Sequence, residues 1–301
     1  MTPQPNSPVC YRGIMDDRIV LQIGGISVGI DGYTSRDHFP EGYRPFLACA
    51  DEDMRLSLQE GPPSGGVGTK CFYAEPIWSF ERSEDTAIIE IFCDPRFPDQ
   101  ARTLRLSDSL QRAELCLHYG SGIFNDPFYG PTLELLIAQY LAQSEGIIVH
   151  ACGIDERGRG LLFPAHSGTG KTTLAKEWHK KGGMIILSDD RVVIRKSDNR
   201  FWIYGTPWHG EAGFAFAGKA PLERVFFLEQ GKENAVKSLS RAQAVSKLLT
   251  CSFPPHWDGE GMKSTLDFVA DMAANVPCHE LSFMPNTSVI DFLQEFCDKM
   301  P

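Results

Sequence analysis

The chain has 301 residues, 42% of them apolar, with a formal charge of -10 and a mean hydropathy of -0.20. These values describe a soluble globular protein with enough chain for one large or two modest domains. They exclude a membrane helix, because no apolar run approaches the roughly 18 residues one requires, and the acidic balance argues against nucleic acid as a partner.

The segment Met1 to Ser7 has neither the basic nor the apolar region of a signal peptide, so a cytoplasmic location is expected. Nine cysteines are spread along the chain without a Cys-x-x-Cys pair and read as reduced core thiols rather than metal ligands or disulfides. Early in the chain, Ile19–Ile23 and Ile26–Ile30 flank Gly24-Gly25 and predict a hairpin, and Ala87–Phe92 predicts another strand. Residues 1–125 therefore read as a β-rich domain that either recognises substrate or completes the fold. Within it, the breaker-rich stretch Glu60–Gly68 reads as an exposed loop.

After the turn residues Asn125–Pro131, Leu133, Leu136, Ile137, Tyr140 and Leu141 recur at helical spacing. A strand follows at Ile147–Val149, ended by His150, then glycine-rich Asp155–Gly160 and the apolar run Gly160–Phe163. Residues 165–173 read Ala-His-Ser-Gly-Thr-Gly-Lys-Thr-Thr, and Leu174–Trp178 has helical composition. Strand, loop and helix in this order form a phosphate-binding loop of the Walker A type, with Ala165 in place of the usual first glycine. Glycine lets the backbone curl until its N–H groups converge on phosphate. His166, Ser167, Gly168, Thr169, Gly170, Lys171, Thr172 and Thr173 are thus the candidate nucleotide contacts. Lys171 supplies a charge and the Thr172 hydroxyl reaches Mg²⁺. The expected cofactors are ATP and Mg²⁺.

Asp189-Asp190 follows the apolar strand Met184–Leu187, where one carboxylate can serve the metal and the other can accept a hydroxyl proton. Asp189 is the preferred metal partner and Asp190 the preferred base, although the two could exchange roles. Further strands are expected at Val192–Ile194 and Phe201–Tyr204. The segment Tyr204–Glu211 reads as a shaped loop in which Glu211 joins the metal sphere and His209 meets substrate, or equally as a packed turn anchored by Trp208. Arg191 is a further candidate for contact with transferred phosphate. Spacing alone makes His150 a core histidine, and the pairs Cys116 with His118 and His256 with Asp258 read as structural.

His150-Ala-Cys-Gly, Gly160-Leu-Leu-Phe, Ser167–Leu174 and Leu187–Val192, taken together, resemble the catalytic domain of HPr kinase/phosphorylase and its fold relatives, the ATP-dependent phosphoenolpyruvate carboxykinases. The resemblance is specific over residues 147 to 195. The segments Gly205–Glu211 and Phe226–Gln230 are similar to HPr kinase-related proteins, some of which resemble kinases found beside peptide-maturation genes. The resemblance implies a P-loop catalytic domain at 126–301; with the β-rich domain read at 1–125 ahead of it, the expected fold class is α/β or α+β. It also places His150 in the active site with Lys171 and the acidic pair. Trp202–Gly205 replaces the Glu-Ile-Arg-Gly-like segment of the bifunctional HPr enzyme, which argues against HPr as substrate and against phosphorylase activity.

The expected function is ATP-dependent phosphoryl transfer to a hydroxyl, foremost a serine of a peptide or protein, with homo-oligomerisation left open. The alternative is a nucleotide-dependent peptide sensor without catalysis. A carboxykinase or a small-molecule kinase ranks below both.

Overall fold

A computed structural model gives the fold for residues 14–15, 18–32, 39–61, 69–74, 78–82, 86–91, 102–117 and 131–299. The chain divides into two units, Met1–Thr132 and Leu133–Pro301. It is mixed α/β with two sheets. The stretches 62–68 and 125–130, together with Cys10, Phe92, Cys93 and His118, lie outside the described residues, as does the side chain of Cys71.

The first unit is built from strands β1 (Ile14–Met15), β2 (Arg18–Ile23), β3 (Ile26–Asp31), β4 (Met54–Glu60), β5 (Thr69–Ala74), β6 (Trp78–Arg82), β7 (Thr86–Ile91), β8 (Arg102–Ser107) and β9 (Arg112–Leu117). They form one sheet in the order β1-β2-β3-β4-β9-β8-β7-β6-β5, with β4 parallel to both neighbours. The expected hairpin is β2–β3, and its two-residue turn puts Gly24 at φ 62° and Gly25 at φ 72°. Two consecutive positive φ values are what a turn matched to strand twist demands, and glycine meets them without a Cβ clash.

In the second unit, α1 (Thr132–Gln143) precedes β10 (Gly146–Glu156), β11 (Arg159–Pro164), α2 (Lys171–Lys181), β12 (Ile185–Ser188), β13 (Arg191–Ser197) and β14 (Arg200–Tyr204). Then come β15 (Lys219–Gln230), β16 (Ala235–Ser238), α3 (Arg241–Thr250), α4 (Gly259–Asn275), β17 (Cys278–Phe283) and α5 (Ser288–Lys299). The sheet runs β11-β10-β13-β14-β15-β17-β16, with β12 beside β10, and a parallel β11–β15 pairing closes five strands into a ring. Alternation along β10 divides the core. Ile147, Val149 and Ala151 join the cluster that includes α3 and α4, while Cys152 and Ile154 join the one under α2 and α5.

Strand β10 corrects the expectation that His150 ends its strand. It continues to Glu156, because β13 pairs with residues 146–150 on one edge and β11 with residues 151–156 on the other. The expected glycine-rich stretch 155–160 is likewise mostly ladder, with only Arg157 and Gly158 turning at positive φ. In His256-Trp-Asp258 the last two residues are tied to α1: Gln139 donates to Asp258 (2.7 Å) and accepts from the Trp257 indole (2.7 Å), while His256 is exposed. The six described cysteines are free thiols, all buried except Cys49. Among the described residues, no helix is long and apolar enough to cross a membrane.

Phe226 is fully buried between Phe163 (ring centroids 5.7 Å) and His279 (5.3 Å), so it ties β15 to β11 and β17. Phe226→Ala is expected to cost about 3–5 kcal/mol, read as a lowered denaturant midpoint with unchanged slope.

Candidate functional site

The glycine-rich loop leaves β11 at Pro164 and enters α2 at Lys171. Positive φ within it is confined to Gly168 (81°) and Gly170 (113°), so buried Ala165 fits where a glycine is usual. At Gly170 a Cβ would also meet the Phe283 ring at 2.8 Å. Gly170 is the N-cap of α2 and brings no side-chain cap, whereas α3 carries a full capping box from Ser240 and Gln243. The first amides of α2 therefore have no side-chain acceptor and add their dipole to the loop. His166, Ser167 and Gly168 are exposed; Thr169, Gly170, Thr172 and Thr173 are half-buried.

Lys171 turns back under this loop, its Nζ donating to the carbonyls of Ala165 (2.8 Å) and His166 (3.1 Å). Burial lowers its pKa, and the negative charges of Asp190 and Asp189 oppose that shift. A cavity of about 580 Å³ opens against the loop, lined across from it by Phe227–Gln230, Lys247 and Cys251. That volume suits a small-molecule ligand. Gln230 bridges the two walls by donating to the Gly168 carbonyl (3.3 Å).

His150 joins the loop to the acidic pair through its backbone and its ring. Its carbonyl accepts from the Ala165 amide (3.3 Å) and its amide donates to the Cys251 carbonyl (2.6 Å). Nε2 donates to Asp190 Oδ1 at 3.0 Å, since an ionised carboxylate only accepts. The other Asp190 oxygen pairs with Arg191 Nη1. Burial alone would raise the Asp190 pKa, but the hydrogen bond from His150 and the charges of Arg191, His150 and Lys171 outweigh it and hold the group below its ordinary 3.8. By linkage, this pairing adds stability that is complete above pH 3.8 and is lost as pH falls through the lower folded value.

Asp189 has different surroundings. It is 1% exposed, and its carboxylate accepts from the amides of Gly210 (3.0 Å), Ala212 (3.0 Å) and Phe214 (3.2 Å). These bonds hold the 205–218 loop against β12. Gly205 makes the approach close enough that a Cβ there would lie 1.9 Å from the Phe216 carbonyl oxygen. Trp208 is buried, as the packed-turn reading expects, while His209 and Glu211 are exposed. Among the described residues, no three His, Cys, Asp or Glu side chains converge as a metal site.

Two contacts escaped the sequence reading. Arg191 Nε lies 3.0 Å from Glu134 Oε2 in the first turn of α1, and its guanidinium sits 5.2 Å over the Phe253 ring. The signal for Glu134 was an acid set between Leu133 and Leu135, in a run that continues through Leu136 and Ile137. Burial raises its pKa, and Arg191 opposes the shift. Phe253 is 37% exposed and also meets the His150 ring, at 6.4 Å between centroids.

Asp189→Ala would strand three loop amides at a cost of about 1–3 kcal/mol each. Hydrogen exchange is expected to lose protection at Gly210, Ala212 and Phe214 while α2 stays protected; unchanged protection of those amides would refute the anchoring role.

A family model described as SynChlorMet cassette protein ScmC matches residues 132–286. The Hpr(Ser) kinase/phosphatase from Coxiella burnetii is similar among solved structures at 10% identity, covering 50% of this chain and 93% of that one, with a TM-score of 0.29. No curated protein matches the chain. The family match contains Glu134, His150, the glycine-rich loop, the acidic pair and the 205–218 loop, and it spans more than half of the 301 residues. The chain belongs to the ScmC family of SynChlorMet cassette proteins.

Proposed function

We infer that this protein is an ATP-dependent phosphotransferase of the HPr kinase-like type that moves the γ-phosphoryl group to a hydroxyl, with a serine of a peptide or protein as the acceptor. One observation carries the reading: a loop of uncapped amides with Lys171 beneath it lies within electrostatic reach of Asp190, a carboxylate held by His150. A loop of this kind binds phosphate, and a fixed carboxylate beside it turns a phosphate site into a transfer site.

The loop residues 166–173 hold the triphosphate, and Lys171 exchanges its carbonyl contacts for phosphate oxygens. Thr172, in the first turn of α2, suits the hydroxyl contact of Mg²⁺. Magnesium otherwise prefers phosphate and water as ligands. When bound, the ion neutralises charge on the phosphates. Asp190 accepts the proton of the acceptor hydroxyl as its oxygen forms the new bond to phosphorus. The bond from phosphorus to the β,γ-bridging oxygen breaks, and ADP carries the charge away. His150 orients Asp190. Asp189, with its oxygens committed to the loop amides, shapes the wall of the site and is unsuited to be a metal ligand; exposed Glu211 is left to the rim.

The test is transfer of labelled phosphate from ATP with Mg²⁺ to peptides encoded beside the gene. Lys171→Ala and Asp190→Asn are each expected to lower kcat by at least about a hundredfold, with folding unchanged by circular dichroism. Full turnover in Asp190→Asn would remove Asp190 as the base. Nucleotide-dependent peptide binding by calorimetry, with no phosphorylated product by mass spectrometry, would instead identify a sensor.

The acid limb of kcat/KM gives a second check. Because the Asp190 carboxyl is held below 3.8, the wild-type rate should not lose this base until pH falls below that value. His150→Ala removes the hydrogen bond that lowers it, so the limb should move to higher pH.

A further inference from the structure

Arg191 is held on three sides. Its Nη1 pairs with Asp190, its Nε faces Glu134 Oε2 at 3.0 Å, and its guanidinium carbon lies 5.2 Å from the Phe253 ring centre. The Glu134 contact is an ion pair in which the guanidinium opposes the effect of burial on the carboxyl. Among the described residues, Nη2 makes no hydrogen bond. A guanidinium tethered at one edge, placed over a ring and leaving donors free is suited to planar recognition of a phosphoryl group.

Glu134 has no reason in packing alone to be acidic. It occupies the first turn of α1 between Leu133 and Leu135, both buried, and its side chain is 19% exposed. Keeping a carboxylate there costs desolvation unless a cation faces it. Arg191 is that cation. Because Asp190 and Arg191 are adjacent in the chain, whatever orients the guanidinium also orients the charge beside the base.

We propose that Glu134 is a positioning residue for phosphoryl transfer, holding Arg191 against Asp190 with its free donors turned to the transferred phosphoryl group. The role rests on the phosphotransferase reading above. It differs from a catalytic role in that Glu134 touches neither phosphate nor acceptor. Glu134 acts through the guanidinium, and its effect lies in the geometry reached during transfer.

The experiment compares the affinity of the full-length protein for Mg²⁺ with ADP, with adenylyl imidodiphosphate, and with ADP plus aluminium fluoride as the planar phosphoryl mimic. Glu134→Gln keeps shape and packing but removes the charge. It is expected to weaken the aluminium fluoride complex about tenfold relative to ADP, the loss appropriate to one misaligned charge-assisted contact, while imidodiphosphate affinity holds or rises. Arg191→Ala should weaken the same complex at least as much, and the double variant no more than Arg191→Ala alone. Glu134→Asp, which keeps the charge, should stay within about threefold of wild type. It also serves as the charge control should Glu134→Gln fold poorly, since a tenfold loss in a folded Glu134→Asp would overturn the tether. Wild-type discrimination retained in Glu134→Gln, or additive losses in the double variant, would overturn the role of Glu134 alone. A wild-type protein that binds ADP equally well with and without aluminium fluoride would overturn the phosphotransferase reading and this proposal with it.

Discussion

The geometry of the site depends on the chain passing from β12 to β13 alongside β10 with two aspartates at the crossing. Asp189 and Asp190 occupy the bend between these strands, and their neighbouring carboxylates diverge. One goes inward to three loop amides and the other toward His150 and Arg191. The Asp190 carbonyl accepts from the Ala151 amide (2.9 Å), which holds the crossing against the centre of β10. A single backbone position thus sets the wall of the site and the orientation of its reactive carboxylate.

Strand β10 carries that arrangement to the glycine-rich loop. Its pairing with β13 on one edge ends at His150 and its pairing with β11 on the other edge begins at Ala151, and there the His150 carbonyl takes the Ala165 amide. Loop and acidic pair are therefore joined by ladder hydrogen bonds rather than by flexible side chains alone. Groups meant to act together on one phosphoryl unit gain most from such rigid support. Burial adds to this: Lys171 and Asp190 lie where charge interacts strongly, and each is stabilised partly by the other.

Much of this was legible in residue order. The Gly24-Gly25 hairpin, the helix through Leu133–Leu141 and the strand, loop and helix around Gly170 all follow local rules of turn conformation and hydrophobic period, which need no distant partner. The length of β10 was not legible, because residues 150–156 are strand only through the partners that β11, β12 and β13 provide. Nor was the tie of Glu134 to Arg191, which lie more than fifty positions apart; an acid within an apolar run marked Glu134 as unusual without naming its partner.

Sequence by itself determined the chemistry available at residues 165–173 and 189–190: glycines where φ must be positive, a lysine and threonines at a helix start, and two carboxylates after an apolar strand. Only the tertiary structure decided how the two aspartates differ. Their covalent neighbourhoods are nearly the same, and the difference arises from what the rest of the chain places around each. The amides of the 205–218 loop surround Asp189, while an imidazole and a guanidinium meet Asp190. The environment of a carboxylate depends on donors and charges within a few ångströms, and those are set by folding rather than by adjacency in the chain.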